Sequence, residues 1–218
     1  PSIPQWLCRV LKKGERVGID GYTTPLQTVN ELKNELSDYG IEVVMIEDPY
    51  KTIWNDRPDL PDNKPFILEE KYSGESASSK ISTIRNHISN TGTDYILISA
   101  LDEIAWTLNM RGTDIECNPL FVSYLLISEK EATLYINKNK LTETTVDYLQ
   151  SQGVGHRNYE NIESDLTAIS GRKIAMSPSI NFAMYNAASE HNTVFIQASP
   201  VSKYKAVKNQ IEINGFRN

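Results

Sequence analysis

The chain has 218 residues, an apolar fraction of 39% and a net charge of −6. These values fit a soluble globular protein with enough chain for one large domain or two small ones. The acidic balance argues against a partner that presents a phosphate backbone, and the basic residues near the end (Lys203, Lys205, Lys208 and Arg217) read as a solvated helix face. The longest apolar runs are about ten residues, too short to span a bilayer. No secretory leader opens the chain, which begins at Pro1 without Met, so this start reads as processed or as a boundary. Cys8 and Cys117 lie far apart and form no CxxC, which favours a reduced, cytoplasmic setting.

In chain order, Pro4 fits a first helical turn, and Trp6, Leu7, Val10 and Leu11 make its apolar stripe, stopped by Gly14. Arg16–Asp20 reads as a strand. Thr24 is expected to cap a helix over Pro25–Tyr39 that ends at Gly40. Ile41–Glu47 is near-continuously apolar, the pattern of a strand in a parallel sheet covered on both faces. Residues 1–53 therefore read as the tail of a larger α/β domain, too small to close a sheet comfortably. Pro49, Pro58, Pro61 and Pro65 then crowd one polar stretch, and residues 54–77 are expected to be a linker.

A second domain is expected over 78–200. Ser78 or Ser79 starts a helix with Ile81, Ile84 and Ile88 on one face, and Asp94–Ser99 is an apolar strand. Ser99 and Asp102 fit a capping box, with Asp102 and Glu103 complementing the helix dipole. Leu101, Ile104, Ala105 and Leu108 form that helix's stripe, and Arg111-Gly112 is expected to end it. Thr113–Asn118 is a polar loop, and Pro119 leads into a strand over Leu120–Ser128 that pairs with Ala132–Asn137 as an antiparallel hairpin. Helices over Thr142–Gln152, over Asn161–Ser170 and from Pro178 alternate with strands over His156–Tyr159, Arg172–Ser177 and Thr193–Ala198. The fold class that follows is α/β, a mixed sheet flanked by helices and preceded by a partial α/β domain. A last helix from Pro200 is expected to be still running at Asn218, which suggests that the chain continues further.

The chemistry-bearing residues are sparse. His87, His156 and His191 are isolated, and no HxxxH, HxH or CxxC offers a metal site. Gly153-Val154-Gly155 lacks the third glycine and the helix of a dinucleotide loop, and no GxSxG is present. Cys117 is a lone thiol without a neighbouring histidine. Trp106, among Leu, Ile and Ala at helical spacing, reads as core. Arg111 stands out because its guanidinium can fork onto a carboxylate or peptide carbonyl. The plainer alternative is a local pair with Asp114 or Glu103.

The central run LDEIAW-x-LN-x-RG-x-DI-x-x-NP-x-F-x-SY resembles the cytosolic three-domain Xaa-Pro aminopeptidases. Ile53-Trp54-Asn55-Asp56-Arg57-Pro58 is similar to that family's linker, and Lys205-Ala206-Val207-Lys208-Asn209 to the start of the helix leading into its catalytic domain. The resemblance implies that residues 78–200 are the middle, creatinase/prolidase N-terminal-like domain and that 201–218 lead into a catalytic domain. That domain would hold two manganese ions, whose bridging hydroxide attacks the bond before proline. By the same resemblance this chain binds no cofactor itself and supplies no catalytic residue or metal ligand. Arg111, Asp114 and Asn118 are then expected to face the substrate cleft. The partners implied are the chain's own catalytic domain, proline-containing peptides and a second copy through the catalytic domain, with no nucleic acid and no membrane. Cys117 departs from the polar residue that the family motif leads one to expect. The rival reading is a binding or regulatory protein derived from such a peptidase after loss of its metal ligands.

Overall fold

The computed structural model describes residues 1–217. These residues form two compact units, Pro1–Asp59 with Pro178–Ala187, and Leu60–Ser177 with the residues from Ala188 onward.

The first unit opens with α1 (Ile3–Val10), whose N-terminus carries a reciprocal cap between Ser2 and Gln5. Then come β1 (Arg16–Asp20), α2 (Leu26–Ser37) and β2 (Glu42–Ile46). β1 and β2 pair in parallel, as the αβαβ order requires. Only Val43 of β2 is buried, while Met45 and Ile46 remain exposed, so the two-sided cover expected for this strand is absent from the unit. Thr24 does not cap α2. The cap is Pro25, and the Thr24 carbonyl instead accepts from the Phe182 N–H at 2.9 Å. The Leu26 N–H likewise donates to the Ile180 carbonyl at 2.8 Å. Pro178 and Ser179 form a turn, Ile180 a bend, and Asn181 an isolated bridge with Pro25, so the helix expected from Pro178 starts only at Phe182.

The second unit contains β3 (Phe66–Ile67), α3 (Glu70–Ser73), α4 (Ala77–Thr91), β4 (Tyr95–Ile98), α5 (Leu101–Thr107), β5 (Met110–Arg111), β6 (Tyr124–Ser128) and β7 (Ala132–Tyr135). It continues through α6 (Glu143–Ser151), β8 (Gly155–Arg157), α7 (Asn161–Ala168) and β9 (Lys173–Met176). α8 (Phe182–Ser189) falls mostly in the first unit, and β10 (Thr193–Ile196), α9 (Pro200–Ala206) and α10 (Gln210–Arg217) complete the second. Six strands form one sheet in the order β10-β9-β4-β6-β7-β8. β6 pairs antiparallel with β4 and β7, and the other pairs in the sheet are parallel. The mixed α/β class read from the sequence is therefore the observed one.

The core follows the helical periodicity. Ile81, Ile84 and Ile88 of α4 are all buried, together with Ile104, Ala105 and Leu108 from α5. Several local expectations are corrected. α4 is capped by Ser76, not Ser78 or Ser79. α5 is capped by Ala100 without a side-chain bond, so Ser99 makes no capping box. α5 ends at Thr107, and the left-handed residue is Asn109 (φ 49°) rather than Gly112. Gly112 is needed for another reason: a Cβ there would lie 2.7 Å from the Phe121 Cβ and 2.8 Å from the Leu120 carbonyl oxygen. The stretch expected to be a linker, residues 54–77, carries β3 and α3.

The last helix is not continuous. It breaks after Ala206, and Asn209 starts α10. The Asn209 Oδ1 accepts from the N–H groups of Ile211 and Glu212, each at 3.0 Å, and the Glu212 carboxylate accepts from the Asn209 N–H at 3.0 Å. The expectation that the helix still runs at Asn218 falls on a residue outside those described.

Candidate functional site

The second unit carries a cavity of about 830 Å³ walled by α3, α5, β5, α9 and α10. Its floor is organised by Asn109. This side chain is only 2% exposed. Its amide nitrogen donates to the Glu75 carbonyl at 2.7 Å, and its Oδ1 accepts from the Lys80 ammonium at 2.7 Å. Lys80 also donates to the Trp106 carbonyl at 2.9 Å, and its ammonium lies 4.2 Å from the centre of the Trp106 ring. Lys80 is 2% exposed, and burial pulls its pKa down to about 8. The sequence reading missed both Lys80 and Asn109. A signal existed for Lys80: it sits four residues before Ile84, on the buried stripe of α4, where a lysine is out of place.

Arg111 enters from β5, whose pairing with β3 sets Arg111 opposite Phe66. Its Nη1 donates to the carbonyls of Ala105 at 2.7 Å and Met110 at 2.9 Å. Burial depresses its pKa, and Glu212 on α10 opposes that shift through its charge. Neither Asp114 nor Glu103, the local partners weighed from the sequence, pairs with it among the described residues.

Asp114 and Asn118 lie in the loop after β5 and do not line this cavity. The Asp114 carboxylate is 0% exposed and forms an ion pair with Lys140, itself 1% exposed. The same Oδ2 accepts from the Val122 N–H at 2.7 Å. Asn118 is exposed, and its carbonyl accepts from the Leu120 N–H at 2.7 Å. Cys117, exposed and at φ 59°, turns the loop tip. Asp102 and Glu103, read as dipole partners, also tie α5 to the α9 region. Asp102 pairs with Lys205. Burial pushes the Asp102 carboxyl up, and the hydrogen bond and charge of Lys205 more than offset this, leaving it below the usual range. Burial pushes Glu103 up against a hydrogen bond with Ser199.

Among the described residues no group of three or more His, Cys, Asp or Glu side chains could hold a metal ion. The chain's own donors therefore do not fit the di-manganese centre that the resemblance implies, and no catalytic step is assigned to them through such ions.

The architecture defines the class: an α/β domain with a mixed sheet flanked by helices, carrying a basic and aromatic cavity. Residues 56–212 match the creatinase/prolidase N-terminal domain, and the chain belongs to that family. It is 33% identical over 229 residues to Xaa-Pro aminopeptidase 1 of Dictyostelium discoideum, covering 100% of this chain and 36% of that protein. It is 32% identical over 252 residues to Aminopeptidase P2 of Arabidopsis thaliana, again covering 100% of this chain and 36% of the relative. The X-prolyl aminopeptidase of Caenorhabditis elegans, described as a cytosolic enzyme with a di-nuclear active site, superposes with a TM-score of 0.92 at 26% identity. The match covers 100% of this chain and 37% of that one. The chain thus spans little more than a third of the length of these relatives. No helix among the described residues is long and apolar enough to cross a membrane.

Proposed function

We propose that this chain is the non-catalytic N-terminal and middle portion of a metal-dependent Xaa-Pro aminopeptidase, and that it shapes and restricts access to the catalytic cleft. The observation that supports this most is the superposition over the whole chain on the Caenorhabditis elegans X-prolyl aminopeptidase. On this reading residues 1–53 end a first domain, 54–77 link it to the next, 78–200 form the middle domain and 201–218 lead into a catalytic domain. Arg111, Asp114 and Asn118 mark the cleft-facing edge, with the Asp114 carboxylate tied inward to Lys140. The catalytic domain would bring two metal ions, taken here as manganese, and would act in the cytoplasm on peptides whose second residue is proline. Such bonds need a dedicated enzyme because the proline nitrogen offers no N–H for a strand-like grip. A second copy would pair through that catalytic domain.

The test is turnover of an Xaa-Pro-Pro peptide with manganese by the full-length gene product that carries this chain, beside the 218-residue chain alone. Release of the first residue by the longer protein only is the expected result. No turnover by the longer protein would overturn the enzymatic reading in favour of a peptidase-derived binding protein. Cleavage by the short chain would overturn its assignment as non-catalytic.

A further inference from the structure

We propose that the cavity walled by α3, α5 and α10 is a binding site for a carboxylate on a small, partly apolar organic molecule. The proposal rests on this chain's own residues and not on the aminopeptidase reading.

The cavity holds donors that lack acceptors. The Trp106 side chain lines it, and the indole Nε1 is enclosed with no hydrogen-bond partner. An enclosed N–H left unbonded is costly, so native proteins rarely keep one without a reason. Lys80 and Arg111 line the same space, and each bonds only to neutral acceptors. Neither has an ion-pair partner among the described residues, unlike Lys71, held by Glu69 at 2.7 Å, and Lys205, held by Asp102. Glu212 is the one acidic side chain in the described lining, and it acts on Lys80 and Arg111 through its field, without an ion pair. Two cations without an ion pair, beside a tryptophan whose enclosed indole N–H has no partner, line one cavity and call for an anion.

The shape of the donors selects the anion. Arg111 uses one terminal nitrogen on backbone carbonyls, leaving the rest of a planar fork that matches a carboxylate edge. Tyr72, Trp106, Ile211 and Phe216 supply apolar wall that inorganic phosphate has no body to cover. The volume of about 830 Å³ suits a small organic ligand.

The test uses the full-length protein that carries this chain, labelled with nitrogen-15 tryptophan, following the Trp106 indole N–H resonance, assigned by its loss in Trp106→Phe. The probes are N-acetyl-leucine, N-acetyl-leucine amide and inorganic phosphate. N-acetyl-leucine is expected to shift the resonance with a dissociation constant of about 1 mM or tighter. Its amide is expected to leave the resonance in place. Arg111→Lys keeps the charge and loses the fork, so affinity is expected to fall roughly tenfold. Lys80→Met is the second variant, and its amide spectrum reports whether it folds. The proposal is overturned if the acid causes no shift, if the amide binds as well, if phosphate binds as tightly, or if Arg111→Lys changes nothing. Two further acids, acetyl-Ala-Leu with a free C-terminus and acetyl-Glu-amide, compare a peptide end with a side chain. Tighter binding by either supports the carboxylate reading and identifies its source.

Discussion

A carboxylate that gives up its water needs its charge balanced within the protein, and Asp114 finds that balance in Lys140. Removing one member leaves the other charged and buried. Asp114→Asn and Lys140→Met should therefore each destabilise the second unit by about 3–5 kcal/mol, while the double variant should recover much of the loss. Chemical denaturation of the four proteins checks this, and additive losses would show that the pair does not act as one. Lys80 makes the opposite arrangement, a buried cation with neutral partners. Its folded pKa of about 8 lies below the ordinary 10.5, so between these values the unfolded chain binds more protons and stability rises with pH. Below about pH 8 both states are protonated and the contribution is flat. The stability of the native chain relative to Lys80→Met should therefore grow by roughly 3 kcal/mol between pH 8 and 10.5, read from denaturation midpoints across that window.

At the scale of elements, the links between helices matter more than the helices alone. Asn209 caps α10 through its Oδ1 and reaches α3 with its Nδ2, which donates to the Ser73 carbonyl at 2.7 Å. Gly74 makes room for it: a Cβ there would lie 2.4 Å from the Asn209 Oδ1. Since α10 and α3 both wall the cavity, one side chain fixes its width. Asn209→Ala should cost α10 about 1 kcal/mol, raising hydrogen exchange of its amides roughly fivefold while the sheet amides of β4 and β6 stay unchanged. An α10 with unaltered exchange would mean that packing, not the cap, holds it. The N-x-x-E signal of Asn209 and Glu212 was legible in the sequence. It was hidden under the basic run before it, which reads as one helix.

For the whole molecule, the division into two compact units predicts where a protease acts first. Lys51 lies in an exposed turn of the segment that ends the first unit's main stretch, and its peptide bond is not followed by proline, unlike that of Arg57. Brief trypsin treatment should nick after Lys51 before it cuts within α4 or the six-stranded sheet. Mass spectrometry of the first fragments checks this, and early cuts in the sheet would contradict it.

The sequence by itself determined the alternation of helices and strands, the antiparallel hairpin of β6 and β7, the buried stripes of α4 and α5, and the family. These are local patterns of 3.6 and 2 residues or long contiguous motifs, readable without knowing what lies across the fold. It also exposed Arg111 as a group to watch. Only the tertiary structure decided that Asp114 turns inward to Lys140, that Gly112 is required by Leu120 and Phe121, and that Lys80, Trp106 and Arg111 share one cavity. Those facts depend on which residues far apart in sequence become neighbours, and no periodicity along the chain records that.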